Sequence, residues 1–375
     1  MYGFGSFTVL VKLLLRHGAD KKHLLKVLRV LLLSFLTIPI KLWENFKFQS
    51  KIDQQEIKES PIFILGHWRS GTTYLHYLMS QDPKLGYVSS FQAFAPDFFI
   101  TGNQTLIPFM SKYFPQLLKE VVPEKRKMDN VKFSLDYPAE EEFAIGNISC
   151  CSLYHGAFIF PKHIESYFKK YVLFELDEFK DKEEWQRAYI KVLKKATFSM
   201  QGKRLVLKNP PNTARIKVLL EMFPDAKFIH IYRNPFIVYN SRLKEYKAST
   251  QLFGFQKIED SEVEEKSLNL YQQVMHKFFV EKNLIPQNNF VEVKFEDLEN
   301  NPLQEIEQIY NKLSLPGFDL AKTSFQSFIA LQKNYKKNEY RLDRETIAKV
   351  LFHWGFAIHT WNYKVPQIQS QKAKL

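Results

Sequence analysis

A glycine-bounded loop is the first group of residues whose types and spacing could do chemistry. Gly66-His-Trp-Arg-Ser-Gly-Thr-Thr73 has the glycine spacing of a phosphate-binding loop, in which backbone N–H groups and a helix N-terminus hold anionic oxygens. A nucleotide triphosphatase needs Lys after the second glycine, but Thr72 stands there and Arg69 supplies the positive charge. The loop therefore predicts a site for a terminal anion that needs no Mg²⁺ bridge, although a glycine turn can also merely connect two elements. The predicted anion-binding residues are Arg69, Ser70, Gly71, Thr72 and Thr73.

A second candidate anion site follows a later strand pattern. Arg233 ends the strand, Asn234 can cap the next helix, and Ser241 lies two turns into that helix. An arginine fork and a hydroxyl can hold oxyanion oxygens, whereas a nucleotide hydrolase would want an acidic residue beside its loop to organise Mg²⁺. The alternative is an exposed arginine and a packed serine. Two anion sites in one sheet would suit a nucleotide phosphorylated at two separate places.

A run of carboxylates supplies the candidates for a proton acceptor. Pro138-Ala-Glu-Glu-Glu-Phe143 is expected to open a helix in which Glu141 shares an apolar face with Ile145 and Ile148. Burial on that face would raise the pKa of Glu141, as a general base requires. Glu141 is therefore the first candidate, with Glu140 and the loop residue His67 as alternatives. Acidic residues also favour the first turn of any helix, which is the purely structural interpretation.

The elements that must position these residues alternate between strand and helix. We expect helices from Thr72 to Ser80, from Asn212 to Met222 and from Pro235 onward. This order predicts an α/β fold with a P-loop-like central parallel sheet flanked by helices, whose ligands lie beyond the carboxyl ends of the strands. The predicted strands are 61–65, 204–208, 227–232 and 290–295.

Three segments divide the 375 residues. We expect an N-terminal helical segment over 1–58, a single domain over 59–365 and a polar tail over 366–375. Within the domain, a mostly helical insertion over 84–200 would build an acceptor pocket. Its phenylalanines could line that pocket, although aromatic stripes are more often core. They are Phe91, Phe94, Phe98, Phe99, Phe109 and Phe114.

The composition fits a globular protein with anionic partners. The chain is 45% hydrophobic and 25% charged, and its 53 Lys and Arg residues against 40 Asp and Glu residues leave a net charge of +13. The two cysteines, Cys150 and Cys151, are adjacent, where a disulfide would need strained geometry. They indicate reduced thiols and a cytoplasmic location. No cluster of ligands with metal spacing accompanies them, so no metal is expected.

The N-terminal segment contains an apolar run that follows a basic stretch. Val30 to Ile40 is apolar except for Ser34 and Thr37, and it is shorter than the roughly 20 residues of a membrane-spanning helix. It also lacks a signal-peptide cleavage site. Two interpretations stay open: a helix packed on the core, or an in-plane helix in peripheral contact with anionic lipid.

Four segments together carry a resemblance to a known family. Arg69–Thr73, Leu205–Pro210, Ile229–Ser241 and Val291–Leu298 resemble, in this order, four motifs of the sulfotransferases that use 3′-phosphoadenosine-5′-phosphosulfate (PAPS). The similarity is to the branch with an Arg-Ser-Gly-Thr-Thr loop, and it extends from about Pro61 to Tyr363. The resemblance implies PAPS as co-substrate, its desulfonated product PAP, and no metal.

The resemblance also implies roles for individual residues. The loop would bind the 5′-phosphosulfate, Arg233 and Ser241 the 3′-phosphate, and Lys208 would reach the reaction centre. Many members carry a glutamate base about twenty residues after the loop arginine, but the nearest counterpart here is Gln92, which cannot accept a proton. Asn212 likewise stands where some members have a histidine. The base is therefore one of the carboxylates above or His67.

The expected activity is transfer of a sulfuryl group from PAPS to the hydroxyl of a small-molecule acceptor. The phenylalanine content favours a lipophilic alcohol such as a sterol or lipid, with a glycan or tyrosyl hydroxyl as the alternative. A P-loop kinase or nucleotide hydrolase is a rival interpretation, which Thr72 and Arg233 disfavour. A non-catalytic anion-binding module is another. Nucleic acid is not an expected partner, because the basic residues are spread along the chain without an aromatic array.

Overall fold

The computed structural model describes residues 5–113, 116, 134–332 and 342–367. Its centre is one parallel sheet of five strands in the order β2-β3-β1-β4-β5. The strands are β1 (Ile62–Leu65), β2 (Leu85–Gly86), β3 (Arg204–Lys208), β4 (Lys227–Tyr232) and β5 (Phe290–Lys294). β1 pairs with β3 on one side and with β4 on the other. The carboxyl ends of these three neighbouring strands therefore meet at one edge of the sheet.

Helices account for most of the remaining described chain. Before the sheet lie α1 (Phe7–His17), α2 (Leu24–Leu36) and α3 (Ile38–Asp53), and α4 (Thr72–Met79) follows β1. The insertion contains α5 (Ser90–Phe94), α6 (Phe99–Thr101), α7 (Ile107–Tyr113), α8 (Glu141–Ile148), α9 (Ile164–Phe168) and α10 (Glu178–Ser199). The later helices are α11 (Ile216–Met222), α12 (Pro235–Phe253), α13 (Asp260–Glu281), α14 (Phe295–Asn300), α15 (Pro302–Lys312), α16 (Phe318–Gln332) and α17 (Arg344–Thr360).

The two faces of the sheet are covered by separate hydrophobic cores. Alternate residues of a strand point to opposite faces, and Phe63 and Leu65 enter one core while Ile62 and Ile64 enter the other. The first core contains the insertion helices with α13 and α17, and the second contains α4, α15 and α16. Burial on both faces explains why all four side chains of β1 are apolar. The expected α/β fold is confirmed.

The element predictions hold for the sheet and fail at one helix. The four predicted strands are present within one residue at each end, and α4 and α12 begin at Thr72 and Pro235 as expected. The helix predicted from Asn212 instead begins at Ile216, after a 3₁₀ turn over Pro210–Ala214. Two consecutive prolines contribute no N–H donors to this turn, which favours a tight connection over an α-helix.

In its described residues, the insertion is mostly helical and also contributes the short edge strand β2. Of the phenylalanines considered as pocket residues, Phe91, Phe98 and Phe99 pack instead in a third core beneath α3. Phe109 is 51% exposed. Phe114 lies outside the described residues, as does the predicted polar tail from residue 368 onward.

The N-terminal helices lie against the insertion. Ser6 N–H donates to Asn147 O at 2.7 Å, and the His17 ring and the Tyr167 hydroxyl are 2.9 Å apart. Leu10 and Leu13 of α1 enter the first core. The segment 21–53, which contains α2 and α3, is long and apolar enough to cross a membrane, and 17% of its most apolar window is buried.

Candidate active site

A cavity lies at the carboxyl ends of β1 and β3, where parallel sheets bind their ligands. The loop from Gly66 to Thr73 and Lys208 form one wall, and residues from the insertion and α12 form the others. Its lining residues are Trp68, Arg69, Thr72, Thr73, Tyr77, Ser90, Phe94, Pro138, Ala139, Glu140, Phe143, Phe158, Lys208, Pro210, Glu245, Ser249 and Phe253. One polar side of this cavity therefore combines a cationic loop, a lysine and a carboxylate.

Glycine is required at both ends of the loop. Gly66 has a φ of +145°, and an added Cβ would lie 2.5 Å from Ile231 O. Gly71 has a φ of +97°, and an added Cβ would lie 2.1 Å from the Phe295 ring. Such close approach lets the loop turn tightly between β1 and α4. Arg69 itself adopts a φ of +72°, an uncommon conformation for a residue with a side chain that often marks functional sites.

The two predicted anion sites contact each other through Arg69. Arg69 Nε donates to Ser241 Oγ at 2.8 Å, and Arg233 Nη1 donates to Arg69 O at 3.4 Å. The Arg233 guanidinium lies 4.2 Å from the centroid of the Phe295 ring, the same ring that packs against Gly71. Neighbouring strands β1 and β4 thus bring the two clusters to one place.

Lys208, at the end of β3, contacts Glu140 in the cavity. Lys208 Nζ donates to Glu140 Oε1, and the Tyr154 hydroxyl donates to Glu140 Oε2. Lys208 is buried, while the Glu140 side chain is 17% exposed. Burial, together with the Glu140 carboxylate, raises the pKa of Tyr154 well above its ordinary value, so this phenol remains a hydrogen-bond donor. Both carboxylate oxygens of Glu140 thus accept a hydrogen bond at the cavity wall.

Glu141 lies behind the cavity wall rather than in it. Its side chain is fully buried, and Glu141 Oε1 accepts from the Tyr189 hydroxyl at 2.8 Å and from Asn212 Nδ2 at 3.0 Å. Glu141 Oε2 has no hydrogen-bond partner among the described residues. Burial raises the pKa of Glu141 to about 7. The expected rise in the pKa of Glu141 is present, but Glu141 is not among the residues that line the cavity.

Glu142, the third acidic residue, forms a buried ion pair. It accepts from Arg215 Nη1 and from Asn209 Nδ2 at 2.8 and 2.7 Å, and from Leu153 N–H at 2.9 Å. Burial opposes its ionisation, but Arg215 and the other donors hold the pKa of Glu142 below its ordinary value. This pair ties the start of α8 to the turn after β3, and so fixes Glu140 beside Lys208.

His67 points away from the cavity although it belongs to the loop. Its ring packs edge-on against Tyr271, with centroids 4.7 Å apart, and its Nδ1 lies 3.0 Å from Trp68 O. Burial lowers the pKa of His67 well below the ordinary value. His67 is absent from the cavity lining, whereas Arg69, Thr72, Thr73, Lys208 and Glu140 are present.

An aromatic wall forms another part of the cavity lining. The ring centroids of Phe94 and Phe143 are 5.4 Å apart, and Phe158 is 6.3 Å from both Phe143 and Phe253. Phe253 comes from α12, so the wall combines the insertion with the core domain. Of the five phenylalanines considered from sequence that the structure describes, Phe94 alone is among the lining residues.

Comparison with known proteins places this site in a family. The sequence profile of the sulfotransferase family matches residues 61–319, which include the loop, Lys208, Arg233 and Ser241. The chain belongs to the sulfotransferase family. This membership favours a sulfotransferase over the kinase, hydrolase and non-catalytic alternatives considered from sequence.

Individual relatives agree with this assignment. The chain is 31% identical over 363 residues to the omega-hydroxy-beta-dihydromenaquinone-9 sulfotransferase Stf3 of Mycobacterium bovis, covering 96% of this chain and 90% of that protein. The fold is similar to sulfotransferase STF9 of Mycobacterium avium, with a TM-score of 0.68 and 18% identity over 96% of this chain and 98% of that one. It is also similar to STF1 of Mycobacterium tuberculosis, with a TM-score of 0.62 and 19% identity over 85% of each chain.

Several polar residues at the cavity, among them Tyr154, Glu245 and Ser249, were not predicted from sequence. Tyr154 contacts Glu140, while Glu245 and Ser249 line the cavity and are joined by a 3.0 Å hydrogen bond. A signal for two of them was present, because Ser241, Glu245 and Ser249 follow one another at four-residue spacing and so share one face of the predicted helix. Tyr154 carried no comparable signal, since its contact crosses from the segment after α8.

The pKa of Glu141 predicts a pH-dependent contribution to stability. Because this pKa is raised from 4.5 to about 7, the folded protein retains a proton that the unfolded chain releases in this window. The stabilisation is complete below pH 4.5 and is lost as the pH rises through about 7, on the order of 3 kcal/mol in total. Glu141→Gln removes the titrating group. Urea unfolding from pH 4.5 to about 7 should therefore show a smaller loss of unfolding free energy in the variant than in the wild type. An identical loss in both proteins would contradict a neutral, buried Glu141 carboxyl.

Proposed function

We propose that this sulfotransferase transfers the sulfuryl group of PAPS to the hydroxyl of a lipophilic small molecule. The contact of Arg69 with Ser241 and Arg233 carries the proposal, because it joins a loop for a terminal anion to a second anion site. PAPS has these two anionic ends, a 5′-phosphosulfate and a 3′-phosphate on one ribose. In this arrangement Ser70, Gly71, Thr72 and Thr73 hold the 5′ end, and Arg233 and Ser241 the 3′-phosphate.

The cavity geometry supports an in-line displacement at sulfur. A bond forms between the acceptor oxygen and sulfur as the bond from sulfur to the 5′-phosphate oxygen breaks, and PAP leaves. Negative charge grows on the bridging and sulfuryl oxygens, where fixed donors act most strongly. Arg69, Lys208, Thr72 and Thr73 line the cavity, and their side chains are the proposed donors to these oxygens. An ammonium has three N–H donors, so Lys208 can contact Glu140 and the departing oxygen at once.

Glu140 is the proposed general base. It is the member of the acidic run that lines the cavity, and it contacts Lys208 at the expected reaction centre. Its carboxylate would accept the acceptor proton as the new bond forms, while Tyr154 orients it through the second oxygen. Glu141 and His67, the other candidates from sequence, are buried outside the cavity lining, and this separation favours Glu140.

Two observations favour a lipophilic alcohol as acceptor. Phe94, Phe143, Phe158 and Phe253 give the cavity an apolar wall in addition to its polar donors. The name of the relative Stf3 specifies a hydroxylated menaquinone, which is a lipid-like alcohol. An aromatic wall offers few partners for the many hydroxyls of a glycan, so a glycan is the weaker alternative, and a tyrosyl hydroxyl is the other.

The direct test is transfer of labelled sulfate from PAPS to a panel of alcohols without added metal. We expect turnover with long-chain or isoprenoid alcohols, no stimulation by Mg²⁺ and no activity when ATP replaces PAPS. The variant Arg69→Ala should lose most of the turnover, because it removes both a sulfuryl donor and the contact with Ser241. Unchanged turnover in this variant, or activity that requires ATP and Mg²⁺, would contradict the proposal.

The base assignment is tested by a matched pair of neighbouring variants. Glu140→Gln should reduce turnover by about 10²–10⁴-fold, the usual range for losing a general base, with little change in PAP affinity. Glu141→Gln makes the same chemical change one residue away, behind the cavity wall, and should stay within a few-fold of wild type. The reverse pattern in single-turnover measurements would assign the base to Glu141.

A further inference from the structure

The helices α2 and α3 expose a continuous set of large apolar side chains. We define the α2–α3 face by Leu28, Leu32, Phe35, Leu42, Trp43 and Phe46, which are between 55% and 87% exposed. Scattered exposed apolar residues are ordinary, but neighbours on one helical face indicate an interaction surface.

The helical spacing places these six residues on one side. The α2 helix passes into α3 at Thr37, where Lys41 N–H still donates to Thr37 O at 3.1 Å. With 3.6 residues per turn, the six side chains of the face fall within an arc of about 100°. Val27, Ser34, Phe48 and Ile52 fall on the opposite arc and are buried.

The buried side of these helices is fastened to the rest of the protein. Ser34 Oγ donates to Gly5 O at 2.7 Å, and Lys26 Nζ donates to Gly254 O at 3.0 Å. Glu44 accepts from Thr101 N–H at 2.6 Å, and its other oxygen lies 2.5 Å from Lys195 Nζ. A helix that crossed a membrane would have to break these contacts and carry the buried Glu44 into lipid. The segment is therefore suited to lie in the plane of a membrane surface although its length would allow it to span.

Basic side chains follow one edge of the apolar face. Lys22, Arg29, Lys47 and Lys51 are exposed and lie within the next 80° or so of the helical circumference. Glu44 is the sole acidic residue from 21 to 52 in the sequence, and it is buried on the other side. An apolar face with a basic edge is the pattern of helices that bind anionic membrane surfaces in plane.

We propose that the α2–α3 face docks this protein onto an anionic lipid bilayer, with the helices parallel to the surface. Leu28, Leu32, Phe35, Leu42, Trp43 and Phe46 enter the boundary between headgroups and acyl chains, and the basic edge contacts the lipid phosphates. A second copy of the chain fits this face less well, because both copies would present basic edges and neither has an exposed acidic residue over 21–52 to balance them. A bilayer supplies the complementary negative charge.

The docked face lies close to the reaction site. Phe48 and Ile52, on the buried side of α3, pack in one core with Phe91 of α5, and Phe94 of the same short helix lines the cavity. The short helix α5 thus contacts both α3 and the cavity, so docking would hold the cavity near a source of lipophilic acceptor. This last consequence rests on the proposed function, whereas docking itself does not.

The test compares two charge-matched double variants of the full chain. Leu32→Glu with Phe46→Glu places two charges on the α2–α3 face. Leu320→Glu with Phe352→Glu makes the same change at side chains that are 70% and 85% exposed elsewhere. In flotation with vesicles of phosphatidylcholine and phosphatidylglycerol, the first pair should bind more than about tenfold more weakly and the control pair should bind like wild type. All four substituted side chains are exposed, so both variants should fold, as circular dichroism would verify.

Two further readouts distinguish the contributions of the face and its edge. Arg29→Ala with Lys47→Ala removes half of the basic edge, so it should weaken binding to phosphatidylglycerol vesicles and reduce its dependence on salt, with little effect on pure phosphatidylcholine vesicles. Vesicles should shift the tryptophan fluorescence of the wild type to shorter wavelength, and Trp43→Phe should remove most of that shift.

Several outcomes would overturn the proposal. The first is equal vesicle binding by the two charge-matched variants. The second is resistance of the bound protein to alkaline extraction, as for a spanning helix. The third is a wild-type dimer that the first variant dissociates without any change in vesicle binding. Failure of docking is separable from failure of the proposed function. Sulfate transfer from PAPS to a short, water-soluble alcohol needs no vesicles, so it reports the chemistry alone.

Discussion

The contact between Arg69 and Ser241 is the interaction on which the account of this sulfotransferase depends. It joins the loop after β1 to the helix after β4, and it exists because the two strands are direct neighbours in a parallel sheet. Glycine at positions 66 and 71 lets the loop come close enough to Ile231 and Phe295 for the contact to form. Donors from both elements therefore lie together, as the proposed binding of one extended anion requires.

Three adjacent glutamates show how position selects chemical role. Glu140 lies at the cavity wall against Lys208, Glu141 is buried with its pKa raised to about 7, and Glu142 is buried but held ionised by Arg215. The Glu142 ion pair anchors the start of α8, and that anchor sets which neighbour reaches the cavity. The size of the pKa shift alone would favour Glu141, whereas position in the cavity lining favours Glu140 as the proposed base.

Much of the fold could be predicted from sequence because the strands are short apolar runs bounded by glycine, proline or charge. The same strand pattern made several site candidates predictable, because each lies at or after the end of a strand that could be placed. They are the loop, Lys208, Arg233 and Ser241. The base could not be assigned, because a helical face does not reveal whether it meets a cavity or a core. Tyr154 and the aromatic wall come from segments distant in sequence, and the contacts that join them depend on tertiary packing.

If one nucleotide is bound at both its ends, its 3′-phosphate must add affinity, and calorimetric titration with adenosine 3′,5′-bisphosphate against adenosine 5′-monophosphate measures that contribution. The account predicts that the 3′-phosphate strengthens binding to the wild type by about 10- to 100-fold, as expected for charge-assisted hydrogen bonds, and that Arg233→Ala removes most of this difference. Equal affinity of the wild type for the two nucleotides would contradict it.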